Sequence, residues 1–294
     1  MLALLTGTES TWDHGRASTL AARDAKRARP ANGDVLPAAT SSTLARMSLQ
    51  DRVDELAAQQ GSTEEDRLLH TQIVRYERHG TAHPGVNETY YVVLDDGHEA
   101  FHKPFTGVAV PTAQHYGHHP DEVPMHECGA WRLAHRLGPA YAEIVAPCVL
   151  RAHEGEAGAL SARQFGLPLT DEPLTRVPDR ARAAAFFDSL IAQQDRHAGN
   201  YRWDGNAEKL GLIDHGFAFA RPGQYVNQSF FVAWRWARDE QALIDAEQQA
   251  LRNLLESRDL HGLGRFLLPE EAEALAARAD LMLERRSILA VGEF

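Results

Sequence analysis

The chain has 294 residues, a formal net charge of −11 and two cysteines. This length can hold a sizeable core, in one bilobal domain or two small lobes. The acidic balance argues against general nucleic-acid binding, because a protein that binds the phosphate backbone presents a basic face. So few cysteines argue against a disulfide framework, and a reducing cytoplasm is the expected location.

The first forty residues predict no folded element. Residues 1–40 are rich in Ala, Arg, Ser, Thr and Asp without hydrophobic periodicity, which is typical of a flexible tail. The apolar run Leu2–Leu5 is too short for a signal peptide, and no later run is long enough to span a bilayer. We expect an N-terminal lobe over residues 41–160, with a leading helix at Ser48–Ala58.

Two short strands with a tight turn between them come next. Tyr90–Leu94 and His98–Lys103 flank Asp95-Asp96-Gly97 and predict a hairpin. An ammonium on a strand that faces a cleft can pair with nucleotide phosphates, so Lys103 is a candidate site residue, with a solvated surface lysine as the alternative. The glycine-containing segment before the hairpin offers backbone amides that could cover phosphates, and an ordinary surface turn is its alternative. Its candidate residues are Gly85, Val86 and Asn87.

A helix is predicted over Val123–Leu137, because Pro124 stands near its start and Gly138 just past its end. Glu127 is the favoured partner for Lys103, since it precedes an apolar run that should pack inward. Glu122 is the competing candidate, although an acid this early in a helix is often only a charge that compensates the helix dipole.

A histidine-rich stretch precedes and enters this helix. Its residues are of types that can ligate zinc, but their spacing fits no closed tetrahedral pattern, so a solvated loop is favoured over a zinc site. The residues are His115, His118, His119, His126 and Cys128.

A C-terminal catalytic lobe is predicted over residues 161–294. A short strand that ends in a polar segment near Gly166 would join the lobes, and such a segment can offer groups to a nucleotide base. Ala162, Gln164 and Phe165 are therefore contact candidates, although Phe165 is favoured as a core residue.

The most informative pattern follows a predicted helix at Arg180–Gln194, for which Asp179 is a candidate N-cap. Asp195-Arg-His-Ala-Gly-Asn200 leads into a hairpin of Asn200–Trp203 and Lys209–Ile213, and Asp214 stands at its end. This order should bring Asp195, Asn200 and Asp214 to one rim. Carboxylate and amide oxygens suit Mg²⁺, and phosphoryl transfer needs mainly positioning and charge neutralisation. A polar turn without chemistry is the alternative. Two helices, Ala233–Ser257 and Pro269–Leu289, should complete the lobe.

The order helix, Asp-Arg-His-x-x-Asn, hairpin and Ile-Asp-x-Gly resembles the catalytic core of the phosphatidylinositol 3-/4-kinase superfamily of atypical kinases, to which HipA-type kinases are related. The resemblance implies an α+β, bilobal, protein-kinase-like fold with a β-rich N-terminal lobe and a mostly helical C-terminal lobe. It implies that Asp195 serves the acceptor hydroxyl and that Asn200 and Asp214 bind metal. It also implies that Lys103, anchored by Glu127, holds the nucleotide. His215 departs from the Phe of typical protein kinases.

The implied cofactors are ATP and Mg²⁺, with Mn²⁺ as an alternative metal. A protein Ser/Thr hydroxyl is the favoured acceptor, ahead of a small molecule and of a lipid. The chain has no obvious basic or apolar segment for binding a membrane. A nucleotide-binding pseudokinase and a nucleotidyltransferase are the remaining alternatives.

Overall fold

The computed structural model describes residues 62–80, 87–167, 178–224, 229–257 and 260–290. The predicted tail over residues 1–40 and the predicted helix Ser48–Ala58 lie outside these residues. So do Gly85 and Val86 of the candidate phosphate-covering segment.

The first part of the described chain is built on a five-stranded antiparallel sheet in the order β1-β2-β3-β5-β4. Successive side chains along β3 alternate between the buried face of the sheet and its half-exposed face. Ala100 and His102 point into the interior, whereas Phe101 and Lys103 lie on the opposite, half-exposed face. The strands are β1 Ile73–His79, β2 Thr89–Leu94, β3 Glu99–Pro104, β4 Cys148–His153 and β5 Glu156–Ala162.

Helices cover this sheet and connect its strands. Helix α1 packs on β4, and apolar side chains from α1, β2, β3, β4 and β5 form a small core of Leu68, Val92, Leu94, Ala100, Val149 and Leu160. The turn between β2 and β3 needs positive φ, which Gly97 supplies at 83°. The helices are α1 Thr63–His70, α2 Val110–Tyr116, α3 Glu122–Leu137 and α4 Pro139–Ala142.

The second part is mostly helical around one short hairpin. A large apolar core joins it to α3, with Phe186, Phe187, Leu251, Leu275 and Met282 fully buried. The elements are α5 Pro178–Leu190, β6 Tyr201–Asp204, β7 Lys209–Leu212, α6 Phe230–Trp236, α7 Asp245–Glu256 and α8 Pro269–Arg285. The predicted α+β, bilobal fold class is confirmed.

Three predicted helices are wrong in extent. Helix α8 ends at Arg285 rather than Leu289, because Arg286 takes φ 54°. The helix expected at Ala233–Ser257 is divided into α6 and α7, because the chain turns through Asp239 at φ 55° and the buried Arg235 guanidinium binds the carbonyls of Glu240 and Ala242. Helix α5 ends at Leu190 rather than Gln194, because Ala192 takes φ 46°. Asp179 lies inside the first turn of α5 rather than before it. No described helix has the length and apolarity that a bilayer-spanning segment needs.

Candidate active site

Lys103 lies at the centre of the site, where the sheet meets the helical part. Its ammonium contacts Glu127 Oε1 on α3 and lies 2.6 Å from Asp214 Oδ1, just after β7. The Lys103 side chain is 16% exposed and that of Asp214 38%, so both border an accessible space, whereas Glu127 is buried. The expected contact between Lys103 and Glu127 is therefore present. Glu122, the competing candidate, instead contacts His118 and Arg221.

The three charges determine one another's ionisation. Burial would lower the pKa of Lys103, but the carboxylates of Asp214 and Glu127 outweigh it, so its pKa is raised. Burial raises the pKa of Glu127 above its ordinary value despite the nearby ammonium. Burial acts in the same sense on Asp214, but Lys103 outweighs it and the pKa of Asp214 is lowered. Two carboxylates around one ammonium create a region that favours a further cation.

The Asp214 turn is held by its neighbours on both sides. Asp214 has φ 63°, in the left-handed region that few non-glycine residues occupy. Gln193 Nε2 donates to the Asp214 carbonyl at 2.9 Å, and the His215 N–H donates to Glu127 Oε2 at 2.9 Å. Burial lowers the pKa of His215 well below its ordinary value, so its ring is neutral. Glu127 thus orients both Lys103 and the backbone beside Asp214.

Asp195 and Asn200 form the second half of the site. The Tyr116 hydroxyl donates to Asp195 Oδ1 at 3.1 Å, and Asn200 Nδ2 donates to the Asp195 carbonyl at 2.8 Å. The second bond leaves the amide oxygen of Asn200 as the atom that it can offer to a metal. Burial raises the pKa of Asp195 above its ordinary value, although His197 and the Tyr116 hydroxyl act against this.

Arg196 supports both halves, a role that sequence reasoning missed. Its buried guanidinium forms an ion pair with Asp188 on α5 and donates from one nitrogen to the carbonyls of Asn200 and Ile213, each at 2.6 Å. The Ser229 hydroxyl also donates a hydrogen bond to Asp188 Oδ2 at 2.6 Å. The available signal was an arginine inside the Asp-Arg-His motif with a carboxylate on the preceding helix. Tyr116 and Gln193 carried no comparable signal.

A cleft of about 370 Å³ opens beside Lys103. This volume falls within the range of small-molecule sites. Its lining includes the predicted residues Lys103, Glu127, Ala162, Gln164, Asn200 and Asp214, and also Phe101, Ser161, Arg163, Arg202 and His215, which sequence reasoning did not single out. Asp195 is not part of the lining and adjoins it through Asn200.

Two further candidates lie apart from this cleft. Phe165 is 60% exposed and lies under the Arg163 guanidinium, so the favoured interpretation as a core residue is wrong. Asn87 accepts a hydrogen bond from the Ala109 N–H at 2.8 Å, where it fixes the start of α2. Gln164 does line the cleft, with its side chain packed against Gly211. A Cβ at position 211 would lie only 2.5 Å from Gln164 Oε1, so glycine leaves the space that this side chain occupies.

The donor set suits a hard divalent cation. Asp214 offers a carboxylate oxygen and Asn200 an amide oxygen, and both line the cleft. Mg²⁺ and Mn²⁺ prefer such oxygen ligands, and a site with few protein ligands leaves coordination positions for phosphates and water. Asn200 and Asp214 therefore fit the metal that the motif implies.

Comparison with known proteins gives distant structural neighbours alone. No protein-family model matches the sequence, and no curated protein matches it significantly. Among solved structures, the Golgi casein kinase is 11% identical with a TM-score of 0.46, over 81% of this chain and 76% of that chain. The same kinase with Mn/ADP bound is 12% identical with a TM-score of 0.47 and the same coverage. The Helicobacter pylori proinflammatory kinase CtkA is 12% identical with a TM-score of 0.38, over 75% of this chain and 94% of that chain. The superpositions are too distant to carry an inference about activity, which must rest on the site itself.

Proposed function

We propose that this chain is an atypical kinase that transfers the γ-phosphoryl group of ATP to a hydroxyl acceptor. One observation carries the proposal: the cleft-facing Lys103 ammonium is held by both Glu127 and Asp214, and Asn200 lines the same cleft. A strand lysine anchored by a helix glutamate, together with a carboxylate and an amide on two adjoining loops, is the residue set that kinases use. The relation to phosphatidylinositol 3-/4-kinases and HipA-type kinases belongs to this proposal.

In the proposed mechanism, the Lys103 ammonium binds the α- and β-phosphates and Glu127 keeps it directed into the cleft. Asn200 and Asp214 would hold Mg²⁺ or Mn²⁺, which when bound neutralises charge on the phosphates. Asp195 accepts a hydrogen bond from the acceptor hydroxyl and orients it for in-line attack. The raised pKa of Asp195 brings its basicity closer to that of a useful general base. Gln164 and Ala162 would contact the base end of the nucleotide.

A protein Ser/Thr hydroxyl is the proposed acceptor class. Among the described residues beside Asp195, His197 is 61% exposed at its side chain and Gly199 is exposed. An open rim suits a hydroxyl that arrives on a large molecule, whereas a small alcohol needs an enclosing pocket to be positioned. The test below also offers small-molecule and lipid acceptors, and transfer of label to either one would replace protein as the acceptor class.

The test uses ATP labelled at the α- or the γ-phosphate, with Mg²⁺ or Mn²⁺. Acceptors are a mixture of unfolded proteins, a set of small polyols and aminoglycosides, and phosphoinositide vesicles. We expect γ-label, and no α-label, on protein. Transfer of α-label would indicate a nucleotidyltransferase, and ATP binding without any transfer would indicate a pseudokinase.

The metal assignment is tested with Asp214→Asn, which removes one charge at the rim of the cleft. We expect a loss in turnover of at least about 100-fold, the scale seen when one group that stabilises the transition state is removed. Circular dichroism should show an unchanged fold. Asp179→Asn is the matched control, because that side chain is 94% exposed on α5. Turnover of Asp214→Asn near the natural level at saturating Mg²⁺ would contradict the assignment.

A further inference from the structure

Four potential metal ligands meet behind the active site, away from the cleft. His118 precedes α3, Glu122 and His126 lie on its first two turns at spacings of four residues, and Glu271 lies on the first turn of α8. We call His118, Glu122, His126 and Glu271 the α3–α8 cluster. The side chains of His118, His126 and Glu271 are 0% exposed and that of Glu122 is 13% exposed.

The ligand atoms of the cluster lie at distances that suit one ion. One atom from each residue can be chosen so that all four lie within 4.8 Å of one another. His126 Nε2 is 3.1 Å from Glu271 Oε2, while His118 Nδ1 is 3.3 Å from Glu122 Oε2 and 3.9 Å from Glu271 Oε1. Around tetrahedral zinc, ligand atoms about 2.0–2.1 Å from the metal are separated by about 3.3 Å. Small side-chain movements would therefore complete the coordination.

Both imidazoles are oriented by acceptors on their outer nitrogens. Gln194 Nε2 donates to the Tyr116 carbonyl at 2.9 Å, so Gln194 Oε1 is the acceptor that His118 Nε2 contacts. His126 Nδ1 donates to the Gly216 carbonyl at 3.1 Å. Metal-binding histidines almost always donate their other N–H to such an oxygen. The inner nitrogens, His118 Nδ1 and His126 Nε2, face the carboxylates of Glu122 and Glu271, an arrangement that suits a cation between them.

Glu271 supplies an independent indication of a ligand. Its Oε2 accepts the Leu268 N–H at 2.9 Å, but its buried Oε1 has no hydrogen-bond partner among the described residues. A buried carboxylate oxygen without a partner is costly. The described arginines nearby do not supply one: Arg221 approaches Glu122 and Glu270, and Arg278 donates to the carbonyls of Leu190 and Ala220.

We infer that the α3–α8 cluster binds one divalent transition-metal ion of the zinc type. Two imidazole nitrogens and two carboxylate oxygens are a ligand set that such ions accept, with four ligands filling a tetrahedral site. Arg221 meets the charge of Glu122 in part, and the ion would balance the buried carboxylate of Glu271. A site closed in this way is structural rather than catalytic.

The ion would brace both loops of the proposed active site. Through His118 it fixes Gln194, which directly precedes Asp195, and through His126 it fixes Gly216, two residues after Asp214. The inference about binding does not depend on the proposed function, because it concerns ligands outside the cleft. Metal binding and phosphoryl transfer can therefore fail separately.

The test measures zinc bound to the full chain. Asp214→Asn serves as the background, so that the metal-binding carboxylate of the cleft is absent. After removal of metal by a chelator and dialysis against micromolar Zn²⁺, elemental analysis should find one zinc per chain. Glu271→Gln in this background keeps an acceptor for the Leu268 N–H and loses the charge, so we expect zinc affinity to fall at least about 100-fold. The matched control is Glu270→Gln, the exposed neighbour, which should keep full affinity.

Cobalt provides a second readout that needs no substitution in the α3–α8 cluster. Co²⁺ loaded into the chelator-treated Asp214→Asn chain should give the intense visible absorption of four-coordinate cobalt, and Zn²⁺ should displace it. If Glu271→Gln does not fold, His118→Gln takes its place in the affinity comparison. Absence of bound zinc at micromolar concentration overturns the inference. Unchanged affinity in the folded ligand variant, or weak octahedral cobalt bands alone, also overturns it.

Discussion

At the scale of single residues, the Tyr116 hydroxyl controls the charge of Asp195. Burial raises the pKa of this carboxyl, and the hydrogen bond from Tyr116 lowers it by favouring the ionised form. In the proposed mechanism Asp195 acts as its carboxylate, so activity should fall as the pH falls through its pKa. The acid limb of the pH–rate profile should therefore lie above the ordinary range of an aspartate.

Tyr116→Phe should move this acid limb further up. The change removes the hydrogen bond to the ionised form, so the pKa of Asp195 rises and the acid limb moves to higher pH. The measurement is kcat against pH, and Tyr90→Phe on β2 is the control. An acid limb that stays in place or moves to lower pH would show that Asp195 does not titrate in that limb.

At the scale of elements, the end of α5, the Asp195–Asn200 loop and the hairpin are joined by one guanidinium. Arg196 binds Asp188 on the helix and two carbonyls that flank the hairpin. The planar fork of arginine can serve three segments at once. The buried Asp188 depends on this contact and on Ser229, so the pair is a structural unit of the loop.

Arg196→Met should lower the free energy of unfolding by about 3–5 kcal/mol, because it leaves the buried Asp188 carboxylate without its cation. Urea unfolding followed by tryptophan fluorescence would measure this loss. Arg182→Met is the control, since Arg182 pairs with Asp179 and Glu240 near the surface and should cost less than about 1 kcal/mol. A similar cost for both variants would show that the position of Arg196 has no special role.

At the scale of the whole molecule, Glu127 connects the two parts of the fold. One carboxylate oxygen contacts Lys103 on the sheet and the other accepts the His215 N–H beside the Asp214 turn. The geometry of the cleft therefore depends on a helix that packs against both the sheet and the helical core.

Glu127→Gln should weaken ATP binding at least tenfold, because the neutral amide no longer anchors the Lys103 ammonium in the cleft. Calorimetric titration with a non-hydrolysable ATP analogue and Mg²⁺ would measure this. The control is Glu77→Gln, an exposed acid on β1. If ATP affinity is unchanged in a folded Glu127→Gln protein, the ion pair supports the fold and does not position the nucleotide.

Local patterns predicted the elements that lie near the cleft. Alternation from His98 to Lys103 placed a lysine on a strand, and the helix at 123–137 and the hairpin after Asn200 agree with the structure to within a residue or two. These predictions succeed because strand alternation, caps and turn residues act over a few positions. The Asp-x-x-x-x-Asn and Ile-Asp-x-Gly segments stand out for the same reason, and the phosphoryl transfer that they indicate stays a prediction.

Contacts between distant residues needed the tertiary structure. No local pattern indicated that Phe165 is exposed or that Tyr116 contacts Asp195. The histidine spacing argued against zinc because one ligand, Glu271, lies 145 residues after His126. The sequence determined which groups are present and which elements carry them. Packing of α3 against the sheet and α7, with His126 reaching Glu271 on α8, decided which of these groups meet, because burial is a property of the folded core and not of any short segment.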